Sequence, residues 1–330
     1  MAPAPPPPPP PNLSLWSILS ESKRIINAHS RHFLALSVVF LLPISFSLVI
    51  SPLLPTPSPT SQIHILLRQS QSQSQTLTLT PLPQSPFNLP LSPLLLLLLL
   101  ILFSLSATAT ITHSVFHGFF GRPVKLLSTV TSLFSSSFTP LLATSIISHS
   151  ILLSLPILIL LLNYLTSPFS SSSHITLTAS AFLTLALLSF TIYLRISWIL
   201  APVIAVVESS WGLEPLRRSA ALMKGMKGVG AASFLFFSVA QGIVLWTGSL
   251  LTVDSGAWRD WAFVLQIVLA STVLMLLMLY STAANTVLYM YCKAVHGELA
   301  SEIAEEFAWQ YVCLPFDDGK VPHVVSVLHV

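Results

Sequence analysis

Long apolar segments alternate with short polar segments along most of this 330-residue chain. An α-helix needs about 20 apolar residues to cross a hydrocarbon core about 30 Å thick. Six stretches meet that requirement, at residues 32–54, 90–112, 141–165, 175–207, 230–253 and 261–291. The pattern predicts an all-α polytopic membrane bundle of about six transmembrane helices with short interfacial helices.

The composition agrees with a chain that is solvated largely by lipid. Apolar residues make up 53% of the sequence and charged residues only 8%, whereas a soluble domain carries about 25% charged residues. The net charge of +3, without a basic stripe interleaved with aromatic residues, argues against nucleic-acid binding. Two cysteines, Cys292 and Cys313, are too few for a disulfide scaffold or a zinc site.

The positions of Lys and Arg predict the orientation of the bundle. With six spans, both termini lie on one side of the membrane together with the loops that follow spans two and four. Of the 14 Lys and Arg residues, all except Arg68 and Arg259 fall on that side. The positive-inside rule therefore predicts that both termini are cytoplasmic. The proline run at residues 5–11 does not resemble a secretory signal, so we expect insertion by the first span into an endomembrane or the plasma membrane.

Three regions follow from the span pattern. Before the first span, apolar residues at near-helical spacing predict an interfacial helix, with Leu15, Ile18, Ile25 and Ile26 on its apolar side. After the last span, the chain is expected to continue as a cytoplasmic tail. The predicted regions are a Pro-rich N-terminus with the interfacial helix at 1–31, a six-span membrane domain at 32–293 and the tail at 294–330.

The most charged segment of the chain is VESSWGLEPLRRSAALMKG, residues 207–225, with Lys227 just beyond it. Gly212 interrupts the preceding helix, and Pro215 suits the first turn of a new one. Glu214 lies three and four residues before Arg217 and Arg218, within side-chain reach on a helix. The segment is predicted to form a short helix on the cytoplasmic membrane surface between spans four and five.

Two interpretations of this segment stay open at the level of sequence. In the first, it is an ordinary positive-inside loop whose charges only fix the topology. In the second, it docks anionic lipid or a cytoplasmic protein partner, and each base near the headgroups contributes about 1 kcal/mol. The residues that would carry the docking are Arg217, Arg218, Lys224 and Lys227, oriented by Glu208 and Glu214. We expect their joint neutralisation to weaken docking and to leave the bundle folded.

Two short segments resemble a known group of multi-pass proteins. The first carries Glu208, Gly212, Leu213, Glu214, Leu216, Arg217, Arg218, Ser219, Leu222, Lys224 and Gly225, and the second is YMYCKAVHGE at residues 289–298. Together they resemble uncharacterised plant membrane proteins that are similar to the membrane-spanning domain of some bacterial glycerophosphodiester phosphodiesterases. Pro215 departs from the alanine usual in that group. The resemblance implies about six helices and assigns no activity, and the catalytic domain of those enzymes has no counterpart in this sequence.

Few side chains within the spans could carry chemistry. Arg195 and Asn285 form a candidate intramembrane polar site, because an ionisable residue at depth in a membrane is a functional indicator. Arg195 snorkels to the cytoplasmic edge if the fourth span ends near Tyr193, and lies deeper if the span is centred later. His113 and His117 share a helical face but have no third ligand nearby in the sequence, so no metal site is predicted.

These features predict a non-enzymatic integral membrane protein that organises lipids or protein partners at the cytoplasmic face. Its expected partners are membrane lipids, anionic ones above all, and a cytoplasmic protein. No catalytic residue, cofactor or nucleic-acid partner is expected. The alternative is a channel or secondary transporter, with Arg195 and Asn285 as polar lining.

Overall fold

In a computed structural model, the described residues are 14–51, 91–121, 138–166, 174–250 and 261–299. The predicted proline run, Cys313 and most of the tail lie outside them. The helices are α1 (Leu15–Ala28), α2 (Ser30–Leu36), α3 (Leu42–Ile50), α4 (Leu91–Phe119), α5 (Phe138–Thr166), α6 (His174–Ser197), α7 (Ala201–Val207), α8 (Glu214–Leu222), α9 (Lys227–Leu250) and α10 (Trp261–Val295).

The prediction of an all-α bundle with six candidate spans is confirmed. Within the described ranges, six helical segments are long and apolar enough to cross a membrane. They are Ser30–Ile50, Leu95–Phe119, Phe138–Leu161, Ala181–Val207, Lys227–Thr247 and Phe263–Val295. The second span ends seven residues later than residue 112, the predicted end, because the helix continues through a half-polar last turn to Phe119.

Prolines divide two of the spans into shorter helices. Between α2 and α3 the chain forms a π-helical turn, Ser37–Leu41, and Pro43 lies in the first turn of α3. Proline has no backbone N–H, so the regular hydrogen-bond ladder cannot continue through it. The fourth span breaks after Ser197, and Pro202 lies in the first turn of α7. By contrast, α5 continues through Pro156.

Helix α10 lies at the centre of the bundle. It packs against α1, α3, α4 and α9, and its second half is buried on most sides. The small residues Ala283 and Ala284 are fully buried and allow the neighbouring helices to approach closely. Helix α6 is peripheral and exposes large apolar side chains such as Phe182 and Leu185. Such an apolar outer surface suits contact with lipid tails.

Helix α1 lies against the end of the bundle rather than apart from it. Its apolar face, which includes Ile18 and Ile25, is buried and contacts α4 and α10, whereas Trp16 on the other face is exposed. Gly118 of α4 permits the contact, because a Cβ there would lie 2.9 Å from Cγ2 of Ile25. The predicted interfacial helix is therefore packed on the membrane helices along one face.

We expect a bulky side chain at residue 118 to weaken the docking of α1. Gly118→Leu should lower the free energy of unfolding by about 1–3 kcal/mol, the usual cost of overpacking. Thermal unfolding in detergent measures the effect. Gly242→Leu is the matched control, because a Cβ at Gly242 meets no heavy atom within 4 Å. Equal melting temperatures for the two variants would contradict a tight contact at Gly118.

Candidate functional site: a carboxylate-centred cluster and a polar cavity

The charged segment forms a bent connection between the fourth and fifth spans. Helix α7 ends at Val207, and the chain turns through Ser209 and Gly212, both with positive φ, before α8 begins at Glu214. Glycine adopts this left-handed conformation without steric cost, whereas Ser209 is an uncommon case. The turn folds α8 back against α7, so that Glu208 and Arg218 come close together.

The carboxylate of Glu208 is the centre of a cluster of polar side chains. Its Oε2 accepts a hydrogen bond from Nε of Arg218 at 2.6 Å, and its Oε1 accepts one from the Tyr289 hydroxyl at 2.7 Å. Nζ of Lys293 lies 3.8 Å from the same Oε1. On its other side, Nη2 of Arg218 donates to Oε2 of Glu298 at 2.5 Å. We name this group the Glu208 cluster; its members are Glu208, Arg218, Tyr289, Lys293 and Glu298.

The Glu208 cluster joins α7 and α8 to the end of α10 by charge-assisted hydrogen bonds, which are stronger than neutral ones. Burial acts to lower the pKa of Arg218, but the hydrogen bonds and charges of Glu208 and Glu298 outweigh it and raise that pKa above its usual value. The Lys293 side chain is only 3% exposed and lies over the Tyr289 ring. A buried charge is costly unless it is paired, so the nearby carboxylate of Glu208 stabilises the Lys293 ammonium.

A second contact fixes the inner face of α8. The hydroxyl of Ser219 donates to the backbone carbonyl of Ser197 at 2.8 Å. That carbonyl is available because α6 ends at Ser197, and the last carbonyls of a helix have no intrahelical partner. Leu216 and Leu222 are buried on the same face. Helix α8 is thus held by α6, α7 and α10 together.

The other predicted docking residues differ in their exposure and in their partners. Glu214, Arg217 and Lys224 are exposed, and none of them forms an ion pair with another described residue. Arg218 pairs with Glu208 and Glu298 instead of the predicted Glu214. Lys227 donates to the Tyr193 hydroxyl at 2.8 Å and lies over its ring. The six residues therefore do not form one continuous charged surface.

The predicted intramembrane pair, Arg195 and Asn285, lines one polar cavity of about 290 Å³ between α5, α6, α9 and α10. Arg195 lies two residues before the end of α6. Its guanidinium forms no hydrogen bond or ion pair with the part of the chain that the structure describes. Asn285 lies one helical turn from Tyr289, so a single face of α10 carries both the cavity lining and the Glu208 cluster.

The two histidines that the sequence analysis paired do share a face of α4. Their Nε2 atoms lie 3.0 Å apart, near the end of the helix. Nearby, Nε2 of His32 lies 2.9 Å from the Ser114 hydroxyl and connects α2 to α4. Among the described residues, no group of three or more His, Cys, Asp or Glu side chains could hold a metal ion.

Comparison with known protein families gives one assignment. A family model described as a domain of unknown function, DUF8558, matches residues 11–314. The chain belongs to the DUF8558 family. No curated protein and no solved structure matches it significantly. The match covers the whole membrane region and attaches no activity to the Glu208 cluster or to the cavity.

Sequence reasoning identified Glu208 and Arg218 in this DUF8558 protein but did not connect them with Tyr289, Lys293 and Glu298. The second segment quoted for the family resemblance, residues 289–298, contains these three partners. A signal was therefore present, because each of the two segments lies at the end of an apolar span and carries both acidic and basic residues. Which charges meet depends on how α7 and α8 fold back, and local spacing does not show that.

Removing the central carboxylate should destabilise this DUF8558 protein. Glu208→Ala leaves Arg218 and Lys293 without their shared carboxylate, and we expect a loss of about 2–3 kcal/mol in the free energy of unfolding. Glu214→Ala removes an exposed acid from the same segment and should cost less than about 1 kcal/mol. Unfolding by SDS in mixed micelles measures both. A loss of similar size in the two variants would show that the Glu208 cluster does not hold the helices together.

Proposed function

We propose that the protein is a non-enzymatic integral membrane protein that organises anionic lipid at the face carrying α8. The observation that carries this proposal is the outward face of α8 and of the turn before it. Arg217 is exposed on α8 and Lys224 is exposed two residues after its end, and Trp211 and Leu213 in the turn before α8 are 72% and 50% exposed. Bases next to an exposed tryptophan are typical of segments that lie among lipid headgroups.

The arrangement supports lipid over a protein partner for two reasons. The exposed apolar side chains, Trp211 and Leu213, are few and follow directly on a membrane span, at the level where headgroups meet acyl chains. The Glu208 cluster and Ser219 hold α8 in place, so its bases need little further ordering to meet a headgroup. The predicted cytoplasmic orientation places this face on the leaflet rich in anionic lipid.

Arg218 has a different part in this proposal from the one expected from sequence. Its guanidinium lies between two carboxylates, so its neutralisation disturbs the fold as well as the surface charge. The quadruple variant that the sequence suggests thus mixes two effects. A variant limited to Arg217 and Lys224 tests lipid binding alone.

Neutralising the two exposed bases should weaken binding of anionic lipid by about 30-fold, since two contributions of about 1 kcal/mol are lost. The variant is Arg217→Gln with Lys224→Gln. Native mass spectrometry from nanodiscs that contain phosphatidylcholine and phosphatidylserine gives the amount of retained anionic lipid, and the melting temperature shows whether the bundle stays folded.

The charge-matched control is Lys23→Gln with Arg31→Gln, two exposed bases near α1 on the predicted cytoplasmic side. Loss of lipid in the α8 variant alone supports the proposal. Equal loss in both variants means that only net charge matters, and no loss in either means that these bases set topology. If the α8 variant loses a copurifying protein but retains its lipid, the partner is a protein.

A channel or secondary transporter is the second candidate, and one observation favours it. A second cavity of about 190 Å³ adjoins the first, and both are lined by Gln241 and Ser281. The second cavity lies among α3, α4, α9 and α10. Two cavities that share polar lining residues could form a route across the bundle.

A transport route should be reached by water from opposite sides of the membrane. Cysteines placed at Ser238 in the first cavity and Ser104 in the second should then react with an impermeant maleimide from opposite sides of sealed vesicles. Cys313→Ala removes one native thiol, and Cys292 is buried. Leu235→Cys, on an exposed apolar face of α9, should stay unlabelled. Labelling of both cavities from one side only would rule out the route.

A further inference from the structure

The cavity that contains Arg195 and Asn285 lies well inside the bundle. Gln241 in its lining is about 21 Å along α9 from Lys227, at a rise of 1.5 Å per residue. A hydrocarbon core is about 30 Å thick, so a cavity that extends from Arg195 to Gln241 passes its middle. The hydrogen bond from Lys227 to Tyr193 places the end of α6 beside the start of α9. Arg195 therefore lies at the end of the cavity nearer the Glu208 cluster.

The lining presents polar groups that the protein itself does not satisfy. Ser233 is only 1% exposed, and its hydroxyl has no hydrogen-bond partner among the described residues. Gln241 and Asn285 are half-buried and Arg195 is exposed, and none of the three forms a side-chain hydrogen bond within the described ranges. A buried polar group without a partner is costly, so the Ser233 hydroxyl and the two unpaired amides on one cavity favour a polar occupant that the exposed Arg195 can also reach.

The charge of the lining selects the class of occupant. No carboxylate lines the cavity among the described residues, and Arg195 is its permanent cation. A guanidinium matches carboxylate and phosphate oxygens through two parallel hydrogen bonds. The hydroxyls and amides deeper in the cavity donate to further oxygens of the same group. A volume of about 290 Å³ is at the lower end for ligand pockets, which restricts the occupant to a small group.

We propose that this cavity is a binding site for one phosphate group, held by Arg195 at the mouth and by Ser233, Gln241 and Asn285 within. The phosphate belongs either to the headgroup of a lipid that enters between the helices or to a small soluble phosphate. The site is separate from the exposed bases of α8. It binds its ligand whether or not the ligand then crosses the membrane.

The test uses the full chain, purified in neutral detergent, with two probes. Inorganic phosphate is titrated against the lipid-free protein by thermal shift. In parallel, native mass spectrometry from phosphatidylcholine nanodiscs that contain phosphatidic acid counts the lipid retained. Arg195→Gln should weaken binding of the effective probe by about 10- to 100-fold, because charge-assisted hydrogen bonds are lost. Arg195→Lys, which keeps the positive charge, should restore part of the lost binding.

Arg31→Gln is the matched control, because it removes one exposed arginine that lies outside both the cavity and the face of α8, and it should leave binding in the cavity unchanged. Asn285→Leu is a second cavity variant that keeps Arg195 and removes a polar group deeper in the site. Retained phosphatidic acid that phosphate does not displace identifies a lipid ligand. Binding of phosphate to the lipid-free protein identifies a soluble ligand.

Three results would overturn the site. The first is a wild-type protein that binds neither probe. The second is binding that is unchanged in both Arg195→Gln and Asn285→Leu. The third is an equal loss in Arg195→Gln and Arg31→Gln, which would assign the phosphate to general surface charge. If Arg195→Gln does not fold, the test of the site rests on Asn285→Leu alone. The proposal then requires this variant to weaken binding at least several-fold.

Discussion

The carboxylate of Glu208 is the constraint on which the arrangement of this bundle depends. Between apolar helices in lipid there is little hydrophobic driving force for association, because lipid tails are as apolar as the side chains they replace. Directional contacts must then select one packing from many. The Glu208 cluster does so by joining α7, α8 and α10 through Arg218 and Tyr289, at distances of 2.6 and 2.7 Å. Because α10 packs against α1, α3, α4 and α9, the position of α8 is fixed relative to most of the bundle.

The same cluster separates two adjacent arginines into different roles. On a helix, consecutive side chains point about 100° apart, so Arg217 and Arg218 cannot both face inward. Arg218 enters the ion-pair cluster, and Arg217 remains exposed. A segment that the sequence shows as one basic patch is therefore divided between structure and surface. This division is the physical basis for assigning lipid contact to Arg217 and Lys224, and not to all four bases.

The break in the fourth span creates the second feature of interest. Where α6 ends at Ser197, the chain bends and α7 packs against α4 and α5 while α6 stays at the periphery. The bend leaves space between α5, α6, α9 and α10, and Arg195 lies at the end of α6 beside that space. Membrane binding sites are often built at such discontinuous helices, because polar groups there are not covered by the regular backbone ladder. The proposed lipid contact and the proposed cavity site thus use different residues of the segment from Arg195 to Lys224.

The sequence by itself determined the class of fold, the number of candidate spans and the place where α8 begins. Those properties follow from local quantities, namely runs of apolar residues, proline positions and the charge of short segments. Only the tertiary structure decided that Arg218 pairs with Glu208 and not with Glu214. It also decided that Tyr289 and Glu298 complete the cluster. The shared cavity of Arg195 and Asn285 is likewise visible only in the structure. The contacts made by Glu298 and Tyr289 join residues 80 and 81 positions apart. Spacing along the chain carries no information about which turns fold back on which helices, because that is set by the packing of all the helices together.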